Sequence, residues 1–130
     1  MVMVGSIVKV ADNSGAILVK CISAGKGYTK RTCRVGELLR VCVKKLDTAK
    51  TLIKKKKKYL GLLISSRTKV NRFKSGTYIK WHKSRMLILN DQEKFLGTRV
   101  YGSICKEMRG DKDKNEARFS TIISYSNATI

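Results

Sequence analysis

The chain has 130 residues and carries 29 Lys and Arg against 9 Asp and Glu, a formal net charge of +20. A compact body of this size repels itself strongly at low salt, so the excess calls for a polyanion to supply counter-charge, while a hydrophobic content of 42% excludes wholesale disorder. No apolar run approaches the roughly 20 residues needed to span a bilayer, and nucleic acid fits best among polyanions, because the cations run along nearly the whole chain and do not cluster beside a hydrophobic anchor.

In chain order, short apolar segments alternate with turn residues, the spacing of a small β-barrel or sandwich. Ile7 to Val10 opens as a strand. Asp12-Asn13-Ser14-Gly15 is a turn, since Asp and Asn side chains bond nearby backbone and Gly tolerates positive φ. Ile17 to Ile22 is apolar and β-branched apart from Lys20, and reads as a second strand. Gly25-Lys26-Gly27 through Arg34 reads as a basic loop, whose glycines either admit a nucleic-acid backbone or make an ordinary turn. Leu38 to Lys45 alternates: Leu39, Val41 and Val43 fall on one face and Arg40, Cys42 and Lys44 on the other, the period of a strand buried on one side. Cys42 is then the most reachable thiol.

Thr48 to Lys58 is polar and basic and ends in five adjacent lysines, which repel one another unless an anion is near. Tyr59 to Ser66 reads as a buried strand. Lys74-Ser75-Gly76 is a turn joining hairpin strands near Arg67 to Val70 and Thr77 to Trp81. Arg85 to Leu89 is a further strand, closed by Asn90-Asp91. Gly97 to Gly102 is an extended segment bracketed by glycines. Ser103 is expected to cap a short helix containing Ile104, Lys106, Glu107 and Met108, stopped by Gly110. A second short helix is expected over Glu116 to Ser124, although its Thr, Ile and Ser content is poor for helix. There is no internal repeat. One domain is expected over residues 1–130, strand-rich to about residue 102 and helical from about 103 to 130.

Cys21, Cys33, Cys42 and Cys105 form no C-x-x-C pair, and with His82 as the one histidine a zinc site would need widely scattered ligands. Four free thiols in a reducing compartment are expected. A chain of this length can bury enough surface to fold without metal or disulfide. Proline is absent, where average usage would give about six; with abundant Lys, Ile, Ser and Thr this points to a coding sequence biased toward A and T, as in many organelle genomes. Met1 to Gly5 is too short for a cleavable presequence, so the protein is expected either to be made where it works or to have lost one already.

Catalytic parts are missing. The sequence has no G-x-x-x-x-G-K-[ST] phosphate loop and no H-E-x-x-H metal site. Asp111, Asp113 and Glu116 cluster, but lysines interleave with them, and acid–base work wants a group held in a pocket with a shifted pKa. No enzyme activity, catalytic residue, metal or cofactor is therefore expected. Arg grips a phosphate with two parallel donors and Lys acts as a mobile point charge. Arg67, Arg72, Arg85 and Arg99 are thus expected to make fixed phosphate contacts, Arg99 alternatively pinning a local carbonyl. Lys54, Lys55, Lys56, Lys57 and Lys58 supply diffuse attraction or remain a solvated face. Further candidates are Lys26, Lys30, Arg31 and Arg34 in the first basic loop, Lys44 and Lys45 on the alternating strand, Lys69, Lys74 and Lys80 around the hairpin, Arg109 near the end, and Asn13 and Ser14 in the first turn. Tyr78 and Trp81 either stack on bases or pack on the core. His82 reads as a surface residue or a phosphate donor.

Several blocks carry a resemblance. Val10-Ala11-Asp12-Asn13-Ser14-Gly15-Ala16 resembles the N-terminal signature of the large-subunit ribosomal protein fourteen family, and Val19 to Ile22 continues it, with Cys21 where that family often has cysteine. Val35-Gly36-Glu37-Leu38-Leu39, Arg67-Thr68-Lys69, Gly97-Thr98-Arg99-Val100-Tyr101-Gly102, Lys106-Glu107-Met108-Arg109 and Ile122-Ile123-Ser124 resemble later blocks. They stand in family order and cover nearly the whole chain. The resemblance implies a five-stranded β-barrel with a protruding β-hairpin and two short C-terminal helices. It implies binding to large-subunit rRNA near the factor-binding side, a bridge to small-subunit rRNA at the subunit interface, ribosomal protein nineteen as a neighbour, and a ribosome-silencing factor as a further partner. Ile17 and Leu18 stand where the family usually has two arginines, which puts RNA contacts there in doubt. Lys74-Ser75-Gly76 replaces a Pro-Asp-Gly turn, His82 follows Trp81 where an acidic residue is common, and Gly110 to Ala117 is lengthened. With the missing proline, these departures favour a divergent organellar member in a mitochondrion, with a plastid or the bacterial cytoplasm as alternatives. Competing readings are a free-standing nucleic-acid-binding barrel, against which the scattered aromatics argue, and a polybasic membrane-surface protein, which lacks an anchor.

Overall fold

The computed structural model describes residues 1–25, 31–49, 52–72, 75–109 and 116–130. Its centre is a closed barrel of five strands, in the order β2 (Ile7–Val10), β3 (Ala16–Ala24), β5 (Leu38–Leu46), β6 (Lys58–Ser65) and β9 (Arg85–Leu89). Neighbours run antiparallel except where β9 returns beside β2, and that parallel pairing, Lys9 with Arg85 and Val10 with Met86, closes the barrel. Closure removes the exposed sheet edges that would otherwise template aggregation.

The alternation of β5 has its expected meaning: Leu39, Val41 and Val43 are buried while Arg40 and Lys44 are exposed and Cys42 is intermediate. Val8, Val19, Val41, Val43, Leu63, Met86 and Ile88 share one buried cluster. Strands β6 and β9 differ, being buried on alternate and intervening positions alike. Leu62, Ile64, Leu87 and Leu89 belong to a second cluster, with Val100, Ile104, Met108, Phe119 and Ile122. The C-terminal segment therefore covers the outside of these two strands, which is why they read as apolar runs without period. Each large side chain so buried contributes about 1.5–3 kcal/mol relative to exposure.

Short elements complete the chain. β1 (Val2–Met3) pairs with β4 (Thr32–Cys33), so the expected basic loop ends in a strand. β7 (Val70–Arg72) and β8 (Thr77–Ile79) form the hairpin. Its first strand begins later than expected, because the Ser66 hydroxyl takes the Thr68 N–H at 3.1 Å and bends Arg67-Thr68-Lys69 out of strand geometry.

The expected helix capped by Ser103 is corrected. Ser103–Ile104 is instead a strand, β10, parallel to β11 (Ala128–Thr129). Lys106 N–H bonds the Ile130 carbonyl at 2.8 Å and Ile130 N–H the Ile104 carbonyl at 2.9 Å. Long-range pairing wins over local helix propensity, and the Ser103 hydroxyl accepts the Trp81 indole N–H at 3.3 Å where a cap was expected. Only Lys106–Arg109 is helical there, as a 3-10 turn. The second expected helix is present as α1, Glu116–Tyr125. Cys21, Cys33 and Cys105 are buried, which leaves Cys42 as the partly exposed thiol.

Candidate nucleic-acid interface

The turn between β2 and β3 shows why its residues stand together. Asp12 is buried, and its carboxylate accepts the Ser14 N–H at 2.9 Å, the Ser14 hydroxyl, and, from the neighbouring strand β9, the Ile88 N–H at 2.9 Å. Asn13 turns the other way. Its carbonyl oxygen accepts the Thr98 N–H at 2.8 Å and the Arg99 N–H at 3.1 Å, and its amide donates to the Thr98 hydroxyl at 2.7 Å. The two blocks far apart in sequence are thus one unit. A Cβ on Gly97 would lie 2.8 Å from both the Asn13 side-chain oxygen and the Phe95 ring, so only glycine fits beside the staple. Gly102 has φ +85° and sits against Arg85, whose guanidinium reaches the Tyr101 carbonyl at 3.3 Å and the Ser65 hydroxyl at 3.4 Å.

This geometry alters the expected contact set. Ser14 is fully buried and its hydroxyl is engaged by Asp12, so it presents nothing to a ligand. Asn13 acts as a staple that fixes the backbone under the exposed Arg99 side chain.

Arg72, expected to make a fixed phosphate contact, is half-buried and paired within the chain. Its Nε lies 2.6 Å from a Glu107 oxygen, and Nη2 donates to the Ile130 carbonyl at 2.7 Å. A partner within the chain thus already takes part of the guanidinium's fork of donors. Cys105 donates its S–H to Glu107 at 2.6 Å. Burial, and behind it that hydrogen bond, pushes the Cys105 thiol up to about 12, so it stays protonated and inert. Partial burial pushes the Glu107 carboxyl up, but the hydrogen bonds from Arg72 and Cys105 outweigh it and hold the group below its ordinary value of 4.5.

A depressed carboxyl stabilises the fold above its unfolded value, and the contribution is lost as pH falls through the folded one. Glu107→Gln should therefore lower the melting temperature at neutral pH. The gap to the parent should narrow in melting curves taken from about pH 7 down to about pH 3. A constant gap would mean that the ion pair does not anchor the hairpin.

The remaining candidates stay outside. Arg31, Arg34, Lys44, Lys45, Lys54 to Lys58, Arg67, Lys69, Lys80 and Arg99 are exposed, and Arg85 is half-buried. Lys26, Lys30 and Lys74 lie outside the described residues, as does the side chain of Arg109. The fold gathers the exposed cations in places. Arg67, Lys69 and Lys80 line an open cleft of about 500 Å³ with Thr68 and Ser84. Arg34 and Asn71 line an adjoining one of about 380 Å³ that shares Thr68 and Lys69 with it. Lys45, Lys54 and Lys55 line a third, of about 510 Å³, at the β5–β6 connection.

Exposed cations outside the expected set include Lys9 and Lys20 on barrel strands, together with Arg40, Lys83, Lys94 and Lys106. Lys20 lies opposite Cys42, which lies opposite Lys58, so one row across β3, β5 and β6 carries a lysine at each side of the thiol. The period-two pattern alone could have placed Lys20 outward from its buried neighbours Val19 and Cys21.

Trp81 is buried, which settles it as a packing residue, whereas Tyr78 is 57% exposed. His82 is exposed. Among the described residues, no three His, Cys, Asp or Glu side chains converge to hold a metal, and no helix is long and apolar enough to cross a membrane.

Fold and surface together define a small closed β-barrel protein with a strongly cationic exterior. The family model of ribosomal protein L14p/L23e matches residues 1–130. A large ribosomal subunit protein uL14 from Carsonella ruddii (strain PV) is 36% identical over 130 residues, covering 100% of both chains. The chain belongs to this ribosomal protein family.

Proposed function

We propose that this chain is a structural constituent of the large ribosomal subunit that binds large-subunit rRNA and contributes to a bridge with small-subunit rRNA at the subunit interface. The observation that carries the reading is the convergence of Arg34, Arg67, Lys69 and Lys80 on adjoining clefts of one side of the barrel. Glu107 also lines the smaller cleft but is paired with Arg72, and clustered cations in excess of carboxylates bind a sugar-phosphate backbone by releasing its condensed counterions. The name of the bacterial relative supports the subunit assigned. Residues 1–130 act as one domain in this reading, because the C-terminal segment supplies the outer cover of β6 and β9. Ribosomal protein nineteen is the proposed protein neighbour and a ribosome-silencing factor a further partner, both on the strength of the family resemblance. A bacterial cytoplasm accounts for the biased composition as well as a mitochondrion does, and the full-length bacterial relative favours it.

Sedimentation through a sucrose gradient tests the assignment. The protein should travel with large subunits after a high-salt wash; release as a free protein would overturn it. With ~10 phosphates neutralised on single-stranded-like RNA, log affinity should fall against log salt with a slope of about −7.

A further inference from the structure

We infer that the outward face of the β7–β8 hairpin is a stacking site for one unpaired RNA base, with Tyr78 as the platform; the inference rests on the RNA-binding reading above. The hairpin register separates two faces. Val70 pairs with Ile79, and both are half-buried toward the protein; Asn71 pairs with Tyr78, and both are exposed. Lys69 and Lys80, each one step beyond the Val70–Ile79 pair, continue the exposed face at the same end of the hairpin. The Lys69 ammonium stands over the Tyr78 ring, 4.4 Å from its centroid, while the ring remains 57% exposed.

An aromatic ring left this open, on a two-stranded hairpin separate from the barrel sheet, lacks the usual reason for its presence, since Tyr78 belongs to neither buried cluster. Its surroundings select the occupant. Among the described residues, the aliphatic members of the hairpin face inward, so its outward face is polar apart from the ring. It offers a flat ring, the Lys69 ammonium over that ring, a second lysine farther along the same face and a side-chain amide. Those parts match a single nucleotide: the base on the ring, neighbouring phosphates at Lys69 and Lys80, and a base edge within reach of the donors and acceptor of Asn71. The same two lysines line the cleft with Arg67, so the strand would run on into the basic groove. The hairpin is held for this by Arg72, whose guanidinium ties β7 to Glu107 and to the Ile130 carbonyl. A paired duplex keeps its bases stacked inside and cannot use the ring.

The test compares the full chain and its Tyr78→Ala, Tyr78→Leu and Tyr78→Phe variants. Each is titrated with a single-stranded RNA carrying 2-aminopurine and with a fully paired duplex of the same length. The parent should bind the single strand with a change in 2-aminopurine fluorescence. Tyr78→Ala and Tyr78→Leu should weaken single-strand binding by about 5- to 100-fold. They should leave duplex binding and the salt slope unchanged, and Tyr78→Phe should bind like the parent. The leucine variant keeps apolar bulk at the site, so a loss shared by both variants reports the ring face and not a packing defect. Equal losses on single strand and duplex, or no loss on either, would overturn the stacking site while leaving RNA binding intact. A parent that binds neither RNA would overturn both readings.

Discussion

Replacing Lys54, Lys55, Lys56, Lys57 and Lys58 together by glutamine should weaken binding to large-subunit rRNA by about 10³-fold at 0.1 M salt, the affinity equivalent of five phosphate contacts. On single-stranded-like RNA each neutralised phosphate adds about 0.7 to the slope of log affinity against log salt, so the slope should become shallower by about 3.5. All five side chains are exposed, and the fold uses little of them. Lys57 lies over the Tyr59 ring at 5.5 Å, and Lys54 gives only its backbone N–H, to the Tyr59 hydroxyl at 3.1 Å. Lys56 has φ +63°, a conformation as tolerable for glutamine as for lysine. The variant should therefore melt like the parent. Filter binding across a salt series reads both quantities at once. An unchanged slope would mark the run as a solvated face that touches no RNA, and would leave the attraction to the groove of Arg34, Arg67, Lys69 and Lys80.

What could be read in the sequence depends on how local its cause is. The strand β5 was legible because burial on one face imprints a period of two over Leu38 to Lys45. The strands β6 and β9 were legible as apolar runs, but what covers their outer faces was not, since Phe119 and Ile122 reach them from the far end of the chain. The pairs β1–β4 and β10–β11 have two residues per strand, too few for any period to show. Ser103 carried a valid local capping signal that lost to pairing with a segment about 25 residues away.

The site divides in the same way. That the exterior is cationic follows from composition. Which cations are free does not, because the partner that withdraws Arg72 is Glu107, separated from it by 35 positions. Trp81 was left open for a related reason: an amphipathic side chain is placed by a tertiary partner, here Ser103. The value of the glycines bracketing Gly97 to Gly102 was visible only as a motif. The steric reason, the approach of Asn13 and Arg85, required the fold.

Asp12→Ala should destabilise the folded chain by about 3–5 kcal/mol. The carboxylate is 7% exposed and serves two otherwise separate backbone donors, Ser14 N–H within its own turn and Ile88 N–H on β9. Removing it leaves both in a region closed to water, and a buried donor without an acceptor costs about 1–3 kcal/mol. A small domain has only about 5–15 kcal/mol in total, so this one change should bring the barrel near its threshold. Asp12→Asn should cost less, since one oxygen remains to accept, but its amide turns a donor toward another donor and cannot serve both partners. The damage should also spread outward. Asn13 follows directly in the turn and holds the backbone of Thr98 and Arg99, so loosening the turn frees the exposed arginine from its set position. Urea unfolding should show the midpoint falling with an unchanged m value, which assigns the loss to stability and not to a change in the unfolded chain. If Asp12→Ala shifted stability by under about 1 kcal/mol, the Ile88 anchor would not be what joins the first turn to the strand that closes the barrel.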